Sequence, residues 1–382
     1  MKNIPVSTLE PNCSFTSPLF LENDYILLTP EIPVTQDIIE RLKKWNYSFI
    51  FSDGEKIAHY ENPLNHAIEG KAGILDKTIQ QNEKKERIGA FYFELVDFID
   101  NFINEFKDKN KLDLSELTEK VKEIIELFKT DKDHLLTFTA PRNYTIDNYF
   151  IPHVVNTALI SLAIGDYLKL PPHRLIDLGN AALLHEIGMT KIPSAIYMKP
   201  NDLTQEEKNT ISTHTLWGYK ILKGFSIPES IASSALEHHE RSDGSGYPRK
   251  MKGEVINLNS RIVGISCSFD TAISFRPFKL PHDAHTVILN ILTTHKNKFD
   301  DSIIKALVYS LSVFPLGSAV SLSNNTKGIV FQTNPSDPKF PIVKITHDEK
   351  GKKLTEHYLI ATSKEKGIFI ARTLKPIEME ES

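Results

Sequence analysis

The sequence HHERSDGSGYP occupies residues 238–248 and places two adjacent histidines directly before a glycine-rich turn. Side chains of adjacent residues on a helix point about a third of a turn apart. His238 and His239 therefore suit two metal ions, or one ion and a substrate, better than two bonds to one ion. Gly244 and Gly246 predict a turn whose bare backbone amides approach a ligand such as a phosphate or a base. A metal pair beside such a loop indicates phosphodiester chemistry.

Composition places the chain among globular proteins. Its 382 residues are 40% hydrophobic and 25% charged, enough for about two or three domains. The net charge of −4 gives no global basic field, so we expect neither DNA nor a membrane as a partner. Cys13 and Cys267 form no disulfide framework and fit a reducing compartment. The first five residues lack the apolar segment of a signal peptide, and no apolar run could span a bilayer, so we expect a cytoplasmic protein.

The first third of the chain divides into two parts. Residues 1–75 are predicted to form a small mixed α/β domain, with strands at 25–28 and 48–51 and a helix at 37–45. Residues 76–130 are predicted to be a charged helical connector with two apolar stripes, and Asp113 with Glu116 resembles a capping box at the start of its second helix. Packing inside the fold is the simpler interpretation of these stripes, and a signalling helix or a homodimer seam is the alternative.

The remaining chain changes character near residue 315. Residues 131–315 are predicted to form a mostly helical domain, with a nearly continuous apolar helix ending at His185. Residues 316–382 are predicted to be a short β-rich extension, because brief β-type runs alternate with turns containing Asn, Pro and Gly. These runs lie at Val320, 329–331, 342–345 and 367–370. The fold class is therefore mainly α, with small β-containing parts at both ends.

Five of the fourteen histidines lie at or near predicted helix ends. His153 opens a helix after Pro152, His185 ends the apolar helix, and His214 lies early in a third helix. His238 and His239 end a fourth. Four helices could therefore bring imidazoles to one centre, as in bundles that bind iron, manganese or zinc. Taken alone, His185 would be a hydrogen-bonded core histidine and His214 an exposed one.

The order of these segments resembles the HD-GYP family, the branch of the HD phosphohydrolase superfamily that hydrolyses cyclic di-GMP. The resemblance covers about residues 140–315, and its most specific part is the full match of 238–248 to the namesake motif. Other segments follow in family order: Asp147 to His153, Leu184 to Pro193, Lys199-Pro200, Leu203-Thr204, Glu207, His214, Gly218, Arg261 to Val263, Asp270 and Arg276 to Phe278.

The resemblance implies an HD-type helical bundle that binds two divalent metal ions, iron or manganese, with zinc as the alternative. It implies that Glu186 bridges the ions and takes part in catalysis. The metal ligands that it implies are His153, His185, Glu186, His214, His238, His239 and Cys267. The residues that it places against cyclic di-GMP are Asp243, Gly244, Gly246, Tyr247, Pro248 and Arg276. For Arg276, a structural ion pair with Asp270 or Glu240 is the alternative.

Three residues depart from the family pattern. Glu186 replaces the bridging aspartate, which keeps a carboxylate one methylene further out. Met189 replaces a lysine that holds the substrate phosphate, and methionine supplies no charge. Lys191, two residues on, is the candidate catalytic substitute, although on a helix it would point to another side. Cys267 replaces the last metal aspartate, and a thiolate there favours zinc or iron over magnesium. The alternative is a buried cysteine that acts only as an inert small hydrophobic residue. Tyr149 stands where some members carry a third-metal glutamate.

The sequence therefore leads to a metal-dependent cyclic di-GMP phosphodiesterase with a modified site. The alternative is a degenerate HD-GYP protein that binds the dinucleotide, or a signalling protein partner, without hydrolysis. Hydrolysis of another phosphoester is a third interpretation.

Overall fold

The structure is a computed structural model, and it describes most of the chain. The described residues are 2–11, 13–17, 19–21, 25–28, 34, 36–44, 47–57, 72–139, 149–199, 201–274, 281–282, 284–311, 314, 316–334, 337–364, 367–374 and 377–380.

The chain separates into two compact units, Met1–Asn82 and Glu83–Ser382. The first unit has an antiparallel four-stranded sheet in the order β1-β5-β3-β4 and a two-stranded ribbon of β2 and β6. Ile39 and Leu42 of α1 share an apolar core with Ile50 of β5. The predicted helix and two strands appear as α1, β4 and β5. The elements are β1 Lys2–Pro5, β2 Ser14–Phe15, β3 Leu19–Leu21, β4 Tyr25–Leu28, α1 Gln36–Lys44, β5 Phe49–Ser52 and β6 Lys56–Ile57.

The second unit is built on helices, and its centre is a helix buried from Ile151 to Gly165. That helix, α4, packs against α5, α10 and α12. Most of its buried residues are apolar, as a helix enclosed on every side requires, and the polar ones include His153 and Asn156. The helices are α2 Ala72–Lys109, α3 Leu114–Leu136, α4 Phe150–Tyr167, α5 Pro172–Leu184, α6 Ser194–Tyr197, α7 Gln205–Ser212, α8 His214–Gly224, α9 Glu229–Glu237, α10 Leu258–Ile273, α11 Ala284–Leu292 and α12 Asp301–Leu311.

The apolar stripes of α2 and α3 pack inside the fold. Ile88, Leu95, Val121 and Ile124 belong to the same buried core as α4 and α5. The capping box expected at the start of α3 is wrong. Asp113 caps the helix by accepting from Ser115 N at 2.9 Å, while the Glu116 carboxylate faces Lys111 Nζ at 3.4 Å instead.

The C-terminal part is a five-stranded antiparallel sheet in the order β10-β9-β8-β7-β11. The mainly helical fold class with a β-rich extension is therefore confirmed. The longest strand, β10, was not predicted from the sequence, and the run expected at 367–370 begins as a strand only at Ile370. The elements are β7 Ala319–Leu322, β8 Lys327–Gln332, β9 Ile342–His347, β10 Lys353–Ala361, β11 Ile370–Thr373 and α13 Ile377–Glu380. Within the described residues, no helix has both the length and the apolar character needed to cross a membrane.

Candidate metal centre

The ends of four helices bring the predicted histidines together. His185 and His238 directly follow the last residues of α5 and α9, and His214 is the first residue of α8. His153 lies in the first turn of α4, which begins at Phe150 and not at His153 as expected. Helix ends suit such a centre because several chain segments can approach one point there.

A glycine sets the position of Glu186. After Glu186 the chain forms a short 3-10 turn, Ile187–Lys191, that packs on the start of α8. A Cβ atom on Gly188 would lie 1.9 Å from the carbonyl oxygen of His214 and 2.5 Å from the amide nitrogen of Gly218. Because no other residue permits this approach, Gly188 allows the turn that carries Glu186 to lie against α8.

The donor atoms form two groups that share Glu186. Within each group, one nitrogen, sulfur or oxygen atom per residue lies within 4.8 Å of the others. We call these groups site A and site B. Site A consists of His153, His185, Glu186 and Cys267, and site B consists of Glu186, His214, His238 and His239.

The carboxylate of Glu186 lies between the two sites. Its Oε1 is 3.8 Å from His185 Nε2 and 4.0 Å from His153 Nε2. Its Oε2 is 3.5 Å from His214 Nε2. The extra methylene of glutamate relative to aspartate is therefore accommodated, since the carboxylate reaches donors of both groups.

Hydrogen bonds orient four of the imidazoles. Each Nδ1 atom meets an oxygen, so an Nδ1–H tautomer leaves the Nε2 lone pair directed into the centre. The Nδ1 contacts are His153 with Asp270 Oδ2 at 2.6 Å, His185 with Ala182 O at 2.6 Å, His214 with Ile211 O at 2.7 Å and His238 with Ser234 O at 2.9 Å.

His153 alone is oriented by a carboxylate, and a buried chain of hydrogen bonds supports that carboxylate. Asn156 Nδ2 donates to Asp270 Oδ1 at 2.8 Å, and Tyr92 Oη donates to Asn156 Oδ1 at 2.8 Å. The sequence reasoning missed this role of Asp270. A signal was available, because Asp270 lies three residues after Cys267 in α10 and therefore near the same helix face.

The charges of the centre favour metal ligation. Burial raises the pKa of Glu186, but the imidazoles of His214, His185 and His153 oppose it and lower the pKa to about 2. Burial also holds the pKa of His238 and His239 well below the usual value, so both rings are neutral near pH 7. A carboxylate surrounded by imidazoles, with His238 and His239 neutral, is a donor set typical of a divalent transition metal.

Cys267 is buried in site A, with Sγ 3.6 Å from His153 Nε2. Burial raises the pKa of its thiol, while His153 and His185 lower it, to about 6. The thiol therefore loses its proton near neutral pH, and a cysteine binds metal as the thiolate.

The glycine-rich loop packs beside site B. The Tyr247 ring stacks on His239, with centroids 4.7 Å apart and an interplanar angle of 19°. Gly244 has a φ of 82°, and a Cβ on Gly246 would lie 2.4 Å from His239 O. The expectation that the glycines bring bare amides to a ligand therefore needs correction for Gly246, whose close approach is to the histidine segment itself.

Other predicted residues of the loop have structural contacts. Asp243 Oδ1 accepts from Ser245 N at 2.9 Å and from Ser245 Oγ at 2.6 Å, which stabilises the turn. The peptide bond between Tyr247 and Pro248 is cis. Burial, together with the charges of Glu186 and Cys267, raises the pKa of Tyr247, so its hydroxyl keeps its proton.

The remaining candidates lie elsewhere. Met189 is buried, whereas Lys191 is exposed at the end of the 3-10 turn. Arg276 lies outside the described residues. The carboxylates considered as its partners have other contacts: Asp270 binds His153, and Glu240 accepts from two backbone amides at 2.6 and 2.9 Å.

Comparisons with known proteins follow this geometry. The family described as "HD domain" matches residues 133–303, and the family described as "KOW domain associated with HD domain" matches residues 319–382. The chain is 32% identical over 196 residues to cyclic di-GMP phosphodiesterase PdeB of Borreliella burgdorferi, covering 51% of this chain and 52% of that protein. It is 29% identical over 209 residues to cyclic di-GMP phosphodiesterase PA4108 of Pseudomonas aeruginosa, covering 54% of this chain and 50% of that one.

Residues 133–303 form an HD domain of the HD-GYP type. The fold agrees with a solved HD-GYP-related structure, Bd1817 of Bdellovibrio bacteriovorus, at a TM-score of 0.50 and 16% identity, covering 80% of this chain and 97% of that one. The chain spans about half the length of the two curated relatives named above.

The HD-GYP centre of this chain fits divalent metal ions. His185 Nε2 and Glu186 Oε2 are buried, and neither has a hydrogen-bond partner within the described part of the chain. Buried polar atoms without partners are costly unless something satisfies them. His185 Nε2 belongs to site A, and Glu186 Oε2 belongs to the carboxylate that the two sites share. Ions at the two sites would therefore satisfy both atoms.

Proposed function

We propose that this chain is a metal-dependent phosphodiesterase that hydrolyses cyclic di-GMP to linear pGpG or GMP in bacterial second-messenger signalling. The observation that carries the proposal is the carboxylate of Glu186, which is shared by two groups of imidazole and thiol donors. The loop of Tyr247 stacks directly beside this centre. The names of PdeB and PA4108 as cyclic di-GMP phosphodiesterases support the choice of substrate.

When bound, two divalent ions neutralise charge on the phosphate oxygens and make the attacking water more acidic. We propose iron or manganese, with zinc as the alternative. Site A would hold one ion and site B the other. Glu186 would fix the spacing between them, and the Nδ1 hydrogen bonds would keep each imidazole in place while substrate binds.

The loop supplies the substrate contacts in this proposal. Tyr247 has a protonated hydroxyl and a ring fixed by stacking on His239, so it can donate a hydrogen bond to a phosphate or a guanine. Asp243, Gly244, Gly246 and Pro248 would shape this loop. Arg276 and Lys191 stay proposals as cations that meet the phosphates.

A second function is favoured by one residue. Met189 is buried where the family carries a phosphate-binding lysine. One positive charge that would bind the substrate phosphate is therefore missing. A chain that binds cyclic di-GMP, or a signalling protein, without hydrolysing it would tolerate this change. We rank this binding protein below the enzyme because the donor atoms within site A, and those within site B, lie close enough together to bind a metal ion.

One experiment separates the two functions. The protein, purified without oxygen and loaded with manganese or ferrous iron, is mixed with cyclic di-GMP, and products are followed by chromatography. The enzyme predicts linear pGpG or GMP. If the protein binds metal but shows no turnover, and the Met189→Lys/Cys267→Asp double variant behaves in the same way, the binding function would be supported and the enzyme excluded. Turnover only in that double variant would identify a lapsed enzyme.

The wider organisation is also proposed. Residues 1–75 would be a regulatory domain, 76–130 a helical connector, 131–315 the catalytic domain and 316–382 a β-rich extension. We further propose a cytoplasmic protein that can form a homodimer and does not act on DNA or membranes.

A further inference from the structure

A cavity of about 300 Å³ lies outside both metal sites. It is enclosed by the C-terminal half of α10, by α11 and by the turn of residues 296–298 that precedes α12. The turn is joined to the glycine-rich loop, because Ser242 N donates to Lys298 O at 2.9 Å. The cavity is at the lower end of the volume range of small-molecule sites.

This cavity is positively charged. Arg241 and Lys298 line it, and none of the described lining residues is acidic. His295 also lines the cavity, but burial and these two cations lower its pKa, so its ring adds no positive charge near pH 7. The carboxylates nearest in sequence have other partners: Asp243 accepts from Ser245, and Glu240 accepts from the backbone of Arg249 and Met251.

The guanidinium of Arg241 has neutral partners only. Its Nη1 donates to the carbonyl oxygens of His238 and Glu240 at 3.1 and 2.9 Å, and its Nη2 donates to Ser268 Oγ at 3.0 Å. The guanidinium carbon lies 5.1 Å from the centre of the Phe299 ring. No described carboxylate forms an ion pair with it. Burial lowers the pKa of this guanidinium, while the charges of Cys267, Asp243 and Glu240 act on it from a distance and raise it. A largely buried cation whose hydrogen bonds go to neutral groups is costly, so an anion in direct contact with it in the cavity would compensate the cost of burial.

The cavity also has an apolar lining. It consists of Val287 and Ile291 of α11, Ala272 of α10 and Phe299. The side chains of Thr271 and Asn290 also line the cavity and can form hydrogen bonds. A lining that combines cations with apolar side chains suits a ligand that has an anionic group at one end and a flat ring at the other.

We propose that this cavity binds a nucleoside monophosphate. The phosphate lies against Arg241 and Lys298, and the base lies against Val287 and Ile291. This inference goes beyond the proposed phosphodiesterase activity and does not depend on turnover. A ligand here would contact the residue that hydrogen-bonds to the backbone of His238, and therefore the support of site B.

The test is calorimetric titration of the metal-loaded full chain with GMP and AMP. Guanosine and inorganic phosphate serve as probes of each half of the ligand. Two variants act on the cavity: Lys298→Gln removes a charge, and Asn290→Asp adds a carboxylate to the lining. Lys296→Gln is the matched control, because Lys296 is exposed in the same turn and does not line the cavity. His239→Ala controls for binding at site B.

We expect a nucleoside monophosphate to bind the parent at least about tenfold more tightly than phosphate, with guanosine weaker still. Lys298→Gln and Asn290→Asp should each weaken the affinity by about tenfold, the loss expected for one charge-assisted contact. Lys296→Gln and His239→Ala should retain it. Parent-like affinity in both cavity variants, equal binding of phosphate, or no binding of either nucleotide would overturn the proposal. His239→Ala removes a donor of site B and the ring under Tyr247 but none of the residues that line the cavity, so failure of the phosphodiesterase assay would not imitate these results.

Discussion

Sites A and B contain the same number of donors but differ in chemistry. Site A pairs two imidazoles with the buried thiol of Cys267, whereas site B has three imidazoles. His153 of site A is held by the carboxylate of Asp270, while His214 and His238 of site B are held by backbone carbonyls. Site A is therefore the softer site and depends on side chains from distant helices. Site B depends on local backbone and is bordered by Tyr247.

The two sites differ in how well they tolerate substitution of neighbouring residues. Backbone carbonyls orient imidazoles whatever the neighbouring side chains are, so site B is robust to substitution around it. In site A, a change at Asp270 alters the orientation of His153, and a change at Cys267 alters the hardness of the donor set. The following predictions separate the two sites, beginning with the residue that they share.

The largest effect is expected for Glu186→Gln. An amide cannot bridge two ions as a carboxylate does, so both sites should lose metal affinity together. We expect less than one ion per chain by elemental analysis, and phosphodiester turnover lowered more than about 100-fold, beyond the loss typical of outer-shell substitutions. Glu206→Gln, at an exposed position on α7, is the control. Two ions retained at parental affinity would show that Glu186 is not shared.

Asp270→Asn should weaken only site A. The change leaves the size of the side chain but removes the charge that holds His153 Nδ1. We expect metal affinity at site A to fall about 10- to 100-fold, the usual cost of losing such a partner, with site B unchanged. Competition with a chromogenic chelator resolves the two affinities. Equal weakening of both sites would argue that Asp270 stabilises the fold and not His153.

A smaller effect is expected when Cys267 is replaced by aspartate. The oxygen donor is harder than the thiolate, so site A should shift its preference from zinc towards manganese by about tenfold. The ratio of the two bound metals, measured after dialysis against an equal mixture, reports this shift. Cys13→Ser provides the control, because Cys13 is the other buried free cysteine and belongs to the N-terminal unit. An unchanged ratio would remove Cys267 from the ligand set.

The smallest effect concerns pH and the histidines of site B. Burial holds the pKa of His238 and His239 well below 6.5 in the folded chain. Below pH 6.5 the unfolded chain therefore binds more protons than the folded chain, so the free energy of unfolding falls as the pH is lowered. The slope should be about 1 kcal/mol per pH unit for each histidine. Urea unfolding of metal-free protein from pH 7.5 to 5.5 measures it, and His239→Gln should flatten the curve. A slope unaltered by that substitution would contradict the assignment.

The sequence was sufficient for features that local patterns encode. It predicted the mainly helical fold and the histidines at helix ends, because caps, glycines and apolar spacing are visible within a few residues. It placed the start of α4 three residues too late and gave Asp113 a capping box that α3 does not have.

Features that depend on distant residues could not be predicted in the same way. Asp270 contacts His153 across 117 positions, and the only local signal is that it lies three residues after Cys267. The charged residues of β10 are not typical of a strand, yet this segment forms one because it pairs with β9. Gly246 looked like a ligand contact because its close neighbour, the carbonyl of His239, is revealed only by the folded loop.

The proposed function requires two ions that share Glu186, and the metal content of the anaerobically purified chain measures this requirement. Elemental analysis against protein concentration should give two ions per chain, both lost in Glu186→Gln. One ion or none in the parent chain would contradict the shared centre.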